Sequence, residues 1–230
     1  MFGENPVRKQ DRGDGAELWI QELFYTLQGE GPFAGCPALF VRLGGCNLKC
    51  YWCDTDFESS AWRPSLDELE RCIDAAMPPG VDLVVLTGGE PFRQNIRPLI
   101  ERQLARGRRV QIETNGTLWL DLPADPALSI VCSPKTKNLH AGLVPRVTAY
   151  KYVLADGEID SADGLPLAST QARKLATRIF RPPADAMIYV MPRDDGDEPA
   201  DRRNRAACRD VALRHGYRLS LQLHKILDLR

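Results

Sequence analysis

The sequence predicts an α/β fold: an incomplete, TIM-like parallel barrel. Three observations predict it. Short apolar runs alternate with capped, helix-like segments along one continuous stretch, the order that builds a parallel sheet covered by helices. The chain has 230 residues, fewer than the ~250 typical of a complete (β/α)8 barrel. The chemically unusual residues fall just after the apolar runs, at the carboxyl ends of strands, where parallel α/β folds build their sites.

Taken in order, residues 17–26 (ELWIQELFYT) read as an extended segment and 38–43 (ALFVRL) as a strand. Ser65 is placed to cap a helix running to about Ala76, with Glu68 completing a capping box. Residues 82–86 (DLVVL) form a short apolar strand of the kind buried on both faces. A helix over 96–105 stops at Gly107, and strands follow at 109–113, 128–132, 149–154 and 186–190. Helices are predicted over 166–178 and 199–215, and a last strand over 217–223. Residues 1–15, polar and rich in Gly, Asp and Arg, read as a flexible lead-in to a single domain spanning 16–230.

Composition narrows the function classes. With 43% hydrophobic and 27% charged residues and a formal net charge of −1, the chain lacks the concentrated basic surface that nucleic acid requires. The Arg clusters at 106–109 and 202–205 read as solvated helix ends or faces. No apolar run is long enough to span a membrane, and residues 1–15 lack the apolar core of a secretory signal, so a cytoplasmic protein is expected. Seven cysteines, an odd number with three tightly clustered, argue for metal ligation over a disulfide framework.

Those three lie in residues 44–55, GGCNLKCYWCDT, with the spacing C-x3-C-x2-C. Three thiolates on one loop can bind three irons of a [4Fe–4S] cube and leave the fourth iron open to a small molecule bearing an amine and a carboxylate. Gly44 and Gly45 permit close backbone approach. Structural zinc, with Cys36 or Asp54 as a fourth ligand, is the competing reading, although only one x2 spacing is present. Cys72, Cys132 and Cys208 sit in apolar patterns and read as core.

Cys46, Cys50 and Cys53, with Trp52 before the last cysteine and Gly88-Gly89-Glu90-Pro91 after the next apolar strand, resemble the signatures of the radical S-adenosylmethionine (SAM) superfamily. Further segments discriminate within it: Gln28-Gly29-Glu30-Gly31 before the cluster loop, Cys53-Asp54-Thr55, Ser133-Pro134-Lys135 and Gln222-Leu223-His224-Lys225. Together these are similar to the 7-carboxy-7-deazaguanine synthase family, from about residue 17 onward.

The resemblance implies a compact radical SAM core, a lyase that makes 7-carboxy-7-deazaguanine from 6-carboxy-5,6,7,8-tetrahydropterin in queuosine biosynthesis. It implies three cofactors: one [4Fe–4S] cluster on Cys46, Cys50 and Cys53, SAM used catalytically, and Mg2+ at Thr55. Trp52, Cys53, Asp54, Gly89, Ser133, Pro134 and Lys135 would line the SAM pocket. Leu27, Gln28, Gly29, Arg42, Thr87 and Arg230 would meet the substrate. Arg42 suits a carboxylate, whose two oxygens a guanidinium can grip together; as a strand residue it equally suits an ordinary surface ion pair. The amino and N–H edge of a pterin needs an acceptor, for which Glu113 and the terminal carboxylate of Arg230 both qualify. Asp54 and Asp56 read as helpers around the magnesium, behind its direct contacts, or as plain loop acids. No side chain is assigned as a catalytic acid or base, and the three histidines lack metal spacing. The family also implies a homodimer and a flavodoxin-like reductant; the apolar stretch 219–229 (LSLQLHKILDL) suits either interface or core. The closest rival within the superfamily is an activating enzyme for a glycyl-radical partner; outside it, a non-catalytic zinc-binding module.

Overall fold

The fold is described from a computed structural model, over residues 5–53, 55–171 and 177–229. Its strands form one sheet in strictly sequential order. They are β1 (Ile20–Leu27), β2 (Pro37–Leu43), β3 (Leu83–Gly88), β4 (Arg109–Thr114), β5 (Leu128–Cys132), β6 (Ala149–Leu154), β7 (Ile188–Pro192) and β8 (Arg218–Leu219). From β2 to β8 each neighbouring pair is parallel. The curved sheet ends at β1 and β8 and does not close, as an incomplete barrel requires.

β1 alone runs antiparallel, pairing Glu22 with Arg42 and Leu27 with Pro37. The connection over residues 28–36 is too short for a crossover. It folds back through Gln28 N–H to the Cys36 carbonyl (2.8 Å) and Gly35 N–H to the Gln28 carbonyl (2.8 Å).

Side-chain alternation then sorts the sheet into two faces. One face carries Leu39, Val41, Val84, Leu86, Val110, Ile112, Tyr150 and Tyr152 into the main core. Helices α1 (Leu66–Ala76), α2 (Arg97–Ala105) and α3 (Glu198–His215) contribute Leu69, Ile73, Leu99 and Cys208 to it. On the other face a small apolar plug of Ala38, Phe40, Leu83 and Val85 fills the amino-terminal end of the barrel interior. Two residues further along the same strands, Arg42 and Thr87 line a cavity at the carboxyl end.

The helix ends follow their local chemistry. The Ser65 hydroxyl accepts from Glu68 N–H (3.3 Å), capping α1. The Asp197 carboxylate accepts from Ala200 N–H (3.0 Å), and α3 stops at Gly216, whose φ is +70°.

Three expectations need correction. Residues 166–171 and 177–178 are turns and extended backbone, not helix; 172–176 lie outside the described residues. Their main-chain groups bond elsewhere: Thr170 N–H reaches the Lys135 carbonyl (3.1 Å) and Ser169 N–H the Thr177 carbonyl (2.7 Å). The last strand is only Arg218–Leu219, because Gln222 and Leu223 turn toward the 28–31 segment and α4 (Leu223–Ile226) begins. Nor do the described residues of the lead-in hang free. Arg8 N–H donates to the Cys46 carbonyl (2.7 Å), Asp11 N–H to the Arg93 carbonyl (2.6 Å) and Asn5 Nδ2 to the Thr55 carbonyl (2.9 Å).

Buried Gln94 joins β1 to the turn after β2. Its Oε1 accepts from Trp19 N–H (2.6 Å), and its Nε2 donates to the carbonyls of Trp19 (2.9 Å) and Gly44 (3.3 Å). Gln94→Ala strands a buried N–H and is expected to cost about 1–3 kcal/mol. Urea unfolding followed by tryptophan fluorescence measures it, and an unchanged midpoint would show the bridge to be dispensable.

Candidate active site

A cavity of about 580 Å³ opens at the carboxyl ends of the strands. It brings together Leu27, Gln28, Gly29, Arg42, Cys46, Cys50, Trp52, Cys53, Thr55, Thr87, Gly89, Ser133 and Lys135. Each was anticipated from the sequence. Pro134 lines a small adjoining pocket; Asp54 and Arg230 lie outside the described residues.

The three cysteines occupy one wall, on a loop fixed at several points. Gly45 has φ +77°; its N–H donates to the Phe57 carbonyl (2.9 Å) and its own carbonyl accepts from Glu90 N–H (3.0 Å). Gly88, with φ +148°, and Gly89 pass so close that a Cβ on Gly89 would meet the Gly45 carbonyl oxygen at 2.3 Å and the Cys46 Cβ at 2.9 Å. Only glycine fits there. Fully buried Glu90 holds the neighbouring turns together. Its carboxylate accepts from Phe92 N–H (3.0 Å), Thr114 Oγ1 (2.7 Å) and Asn115 N–H (2.7 Å). Burial pushes its pKa up to about 7 against the pull of those bonds.

The donors around the thiols fit an iron–sulfur cluster. Leu48 N–H lies 3.4 Å from Cys46 Sγ, and Thr170 Oγ1 and Gln171 Nε2 lie 3.0 and 3.3 Å from Cys50 Sγ. Burial pushes the Cys46 thiol up to about 12, and nearby Glu90, Cys50 and Cys53 add to the shift against the Leu48 bond. Such a thiol ionises only beside a cation, and soft sulfur ligands suit iron. The Trp52 ring, with Lys135 Nζ 5.3 Å from its centroid, stands next to this wall.

A second group of lining residues is polar. Arg42 is an ion-pair partner as well as a cavity residue: its Nε donates to Glu22 across the β1–β2 pair (2.6 Å). Glu113 accepts from Gln28 Nε2 (3.0 Å), Gln111 Nε2 (3.1 Å) and Thr87 Oγ1 (3.4 Å). Lys151, buried on β6, sits 3.7 Å from Glu113 and in direct contact with Glu30. Burial pulls its pKa down, but Glu113 and Glu30 outweigh that, and the ammonium is held above its ordinary range. Burial likewise pushes Glu30 up, and Lys151 and Gln222 bring it below the usual carboxylate range.

Sequence reasoning missed Lys151, Thr170 and Gln171, and gave Glu30 no role of its own. Lys151 had a signal: a lone charge in the apolar strand AYKYVL. Thr170 and Gln171 had none, because the segment resembled a helix.

The radical SAM superfamily model matches residues 40–126, from β2 to the loop before β5. A curated 7-carboxy-7-deazaguanine synthase from Rhodospirillum rubrum is 61% identical, each chain covering the other completely. The chain belongs to the 7-carboxy-7-deazaguanine synthase family of radical SAM enzymes. A synthase of that name from Rickettsia prowazekii is 36% identical over all of this chain and 96% of its own. The crystal structure of QueE from Escherichia coli shares the fold, with a TM-score of 0.64 and 24% identity over 90% of this chain and 94% of the other. Membership of the synthase family implies a [4Fe–4S] cluster and SAM. Neither a glycyl-radical activating enzyme nor a zinc-binding module is favoured.

Gly89→Ala drives a methyl group into the cluster loop. Its iron content after anaerobic reconstitution is expected to fall to less than half of wild type, with the far-ultraviolet circular dichroism retained. Full iron loading would show that the loop tolerates the intrusion.

Proposed function

We propose that the protein converts 6-carboxy-5,6,7,8-tetrahydropterin to 7-carboxy-7-deazaguanine and ammonia by radical ring contraction. The observation that carries this reading is that one cavity is lined both by the three cysteines and by Arg42, Thr87 and Glu113, in a chain whose full-length relative is a synthase of that product. The reaction is redox-neutral: substrate equals product plus ammonia, and SAM is regenerated.

Cys46, Cys50 and Cys53 would hold the cluster, which together with SAM would supply the radical chemistry of hydrogen abstraction at C6. The protein's own residues bind and orient. The turn at Gly89 and residues Trp52, Asp54 and Ser133–Lys135 hold SAM against the cluster wall. Arg42 receives the substrate carboxylate. The main chain at Leu27, Gln28 and Gly29 meets the flat ring, Thr87 touches it, and Glu113 accepts from its amino and N–H edge. The terminal carboxylate of Arg230 is the other candidate for that edge. Lys151, shared by Glu30 and Glu113, ties both carboxylates into the cavity wall and, against the upward push of burial, holds Glu30 below the usual carboxylate range. Magnesium is assigned to Thr55, which also lines the cavity; such an ion keeps several waters and accepts substrate oxygens.

Residues 16–230 act as one catalytic unit in the cytoplasm, reduced by a flavodoxin-like protein and paired as a homodimer. Exposed Leu219, Ile226, Leu227 and Leu229 support the pairing. Among the described residues no helix is long and apolar enough to cross a membrane.

Anaerobic turnover with SAM, dithionite, magnesium and the carboxypterin, read by mass spectrometry, tests the reading. The deazaguanine acid should form with SAM conserved and with a dependence on added magnesium. Reductive cleavage of SAM without that product would sink the substrate assignment. Glu113→Gln replaces a charged acceptor with a neutral amide, so kcat/KM should fall about 10- to 100-fold, the size of one hydrogen bond to a charged group. Unaltered kinetics would transfer edge recognition to the terminal carboxylate.

A further inference from the structure

In the connection between β6 and β7, residues 169–171 are stitched to the cluster loop. Thr170, 7% exposed, accepts at its carbonyl from Tyr51 N–H (3.3 Å), and the Gln171 Oε1 accepts from Lys49 N–H (3.1 Å). The two bonds bracket Cys50, whose sulfur lies 3.0 Å from Thr170 Oγ1 and 3.3 Å from Gln171 Nε2.

The directions of these bonds are fixed by chemistry. A backbone N–H can only donate, so the Lys49 contact requires the Gln171 oxygen to face Lys49 and its NH2 group to face the sulfur. That NH2 group also lies 3.0 Å from Thr170 Oγ1, so the hydroxyl accepts there and keeps its one hydrogen for another partner. The Cys50 sulfur is nearer to it than the Lys135 carbonyl, which lies at 3.4 Å. A sulfur ligating iron has no proton and only accepts. Both side chains therefore aim hydrogens at one ligand.

We infer that Thr170 and Gln171 are positioning residues that clamp Cys50 and raise the reduction potential of the cluster. Adding an electron increases the negative charge on the sulfur ligands. O–H and N–H donors aimed at sulfur are then worth more in the reduced state than in the oxidised one. The inference rests on the assignment of the cluster to Cys46, Cys50 and Cys53, and not on the identity of the substrate.

Full-length protein, reconstituted anaerobically without SAM or pterin, is titrated with dithionite in the presence of redox mediators and followed by electron paramagnetic resonance, with iron per chain measured alongside. Thr170→Val removes the hydroxyl at nearly constant volume. At a fixed potential the ratio of oxidised to reduced cluster should rise roughly tenfold, a shift of about 59 mV for one electron. Thr170→Ser, which restores the donor, should titrate like wild type. A fully loaded Thr170→Val cluster with the wild-type potential overturns the inference, as does a Thr170→Ser cluster that titrates like Thr170→Val. Should Thr170→Val load poorly, Gln171→Leu decides: a lowered potential supports the clamp and an unchanged one overturns it. Failure of both variants to load would reduce the pair to a structural role and overturn the redox assignment. Wild-type protein that takes up no iron would instead sink the cluster assignment itself.

Discussion

Two turns at the ends of adjacent parallel strands approach each other more closely than side chains permit, and the site is organised around that contact. Leu43-Gly44-Gly45 leaves β2 and Gly88-Gly89-Glu90 leaves β3. They share the bonds Gly89 N–H to Leu43 carbonyl (3.3 Å) and Glu90 N–H to Gly45 carbonyl (3.0 Å). The Arg93 guanidinium donates to the Gly44 carbonyl (3.1 Å), while Asn115, after β4, reaches Asn47 in the cysteine loop (3.0 Å). Three consecutive strands thus deliver their turns to one place. The start of the cysteine loop is held there by turns of the sheet.

The polar lining around Lys151 obeys a different constraint. A buried ammonium beside two carboxylates is costly to desolvate, and an apolar trio of similar volume would commonly be as stable or more so. Lys151 and Glu113 point into the barrel because strand alternation sends every second residue inward, and Glu30 joins them from the connection between β1 and β2. An apolar plug occupies the inward positions deeper along β2 and β3, so the polarity is confined to the mouth. Three charges with a negative surplus suit a ligand rich in N–H groups. Arg42, paired with Glu22 across the β1–β2 ladder, lines the same cavity with a guanidinium whose charge that pair balances.

Much of this was legible in the amino-acid sequence, for reasons that can be named. Parallel strands buried on both faces appear as short apolar runs, so β3, β4, β5 and β6 were found within a residue or two. The cysteine and glycine spacings mark backbone geometry that few other residues tolerate. Arg42 could be read as ligand or as ion-pair partner, and its contact with Glu22 depends on an antiparallel register that periodicity alone does not reveal. The helix expectation failed within 166–178, whose described residues 166–171 and 177–178 are not helical, because helix-like composition was outweighed by long-range bonds to Lys135 and the cysteine loop. Residues 217–223 failed similarly: the alternating leucines suggested a strand, yet Ser220 and Gln222 bond to the turn at Gly31 and Glu30. Contacts between segments so distant along the chain leave no local trace.

That last contact bears on how the molecule is made. Leu223 N–H donates to the Gly29 carbonyl (3.4 Å), and Gly29 has no room for a Cβ because His224 Nδ1 would lie 2.8 Å from it. The turn that contributes Leu27, Gln28 and Gly29 to the cavity is therefore shaped by residues translated nearly two hundred positions later. A nascent chain still tethered to the ribosome can assemble β1 to β5 and the cysteine loop from what has already emerged. The turn at Gly29 takes its final shape only once residues 223 and 224 have emerged, so the wall of the cavity nearest β1 matures later than the wall that carries the cysteines.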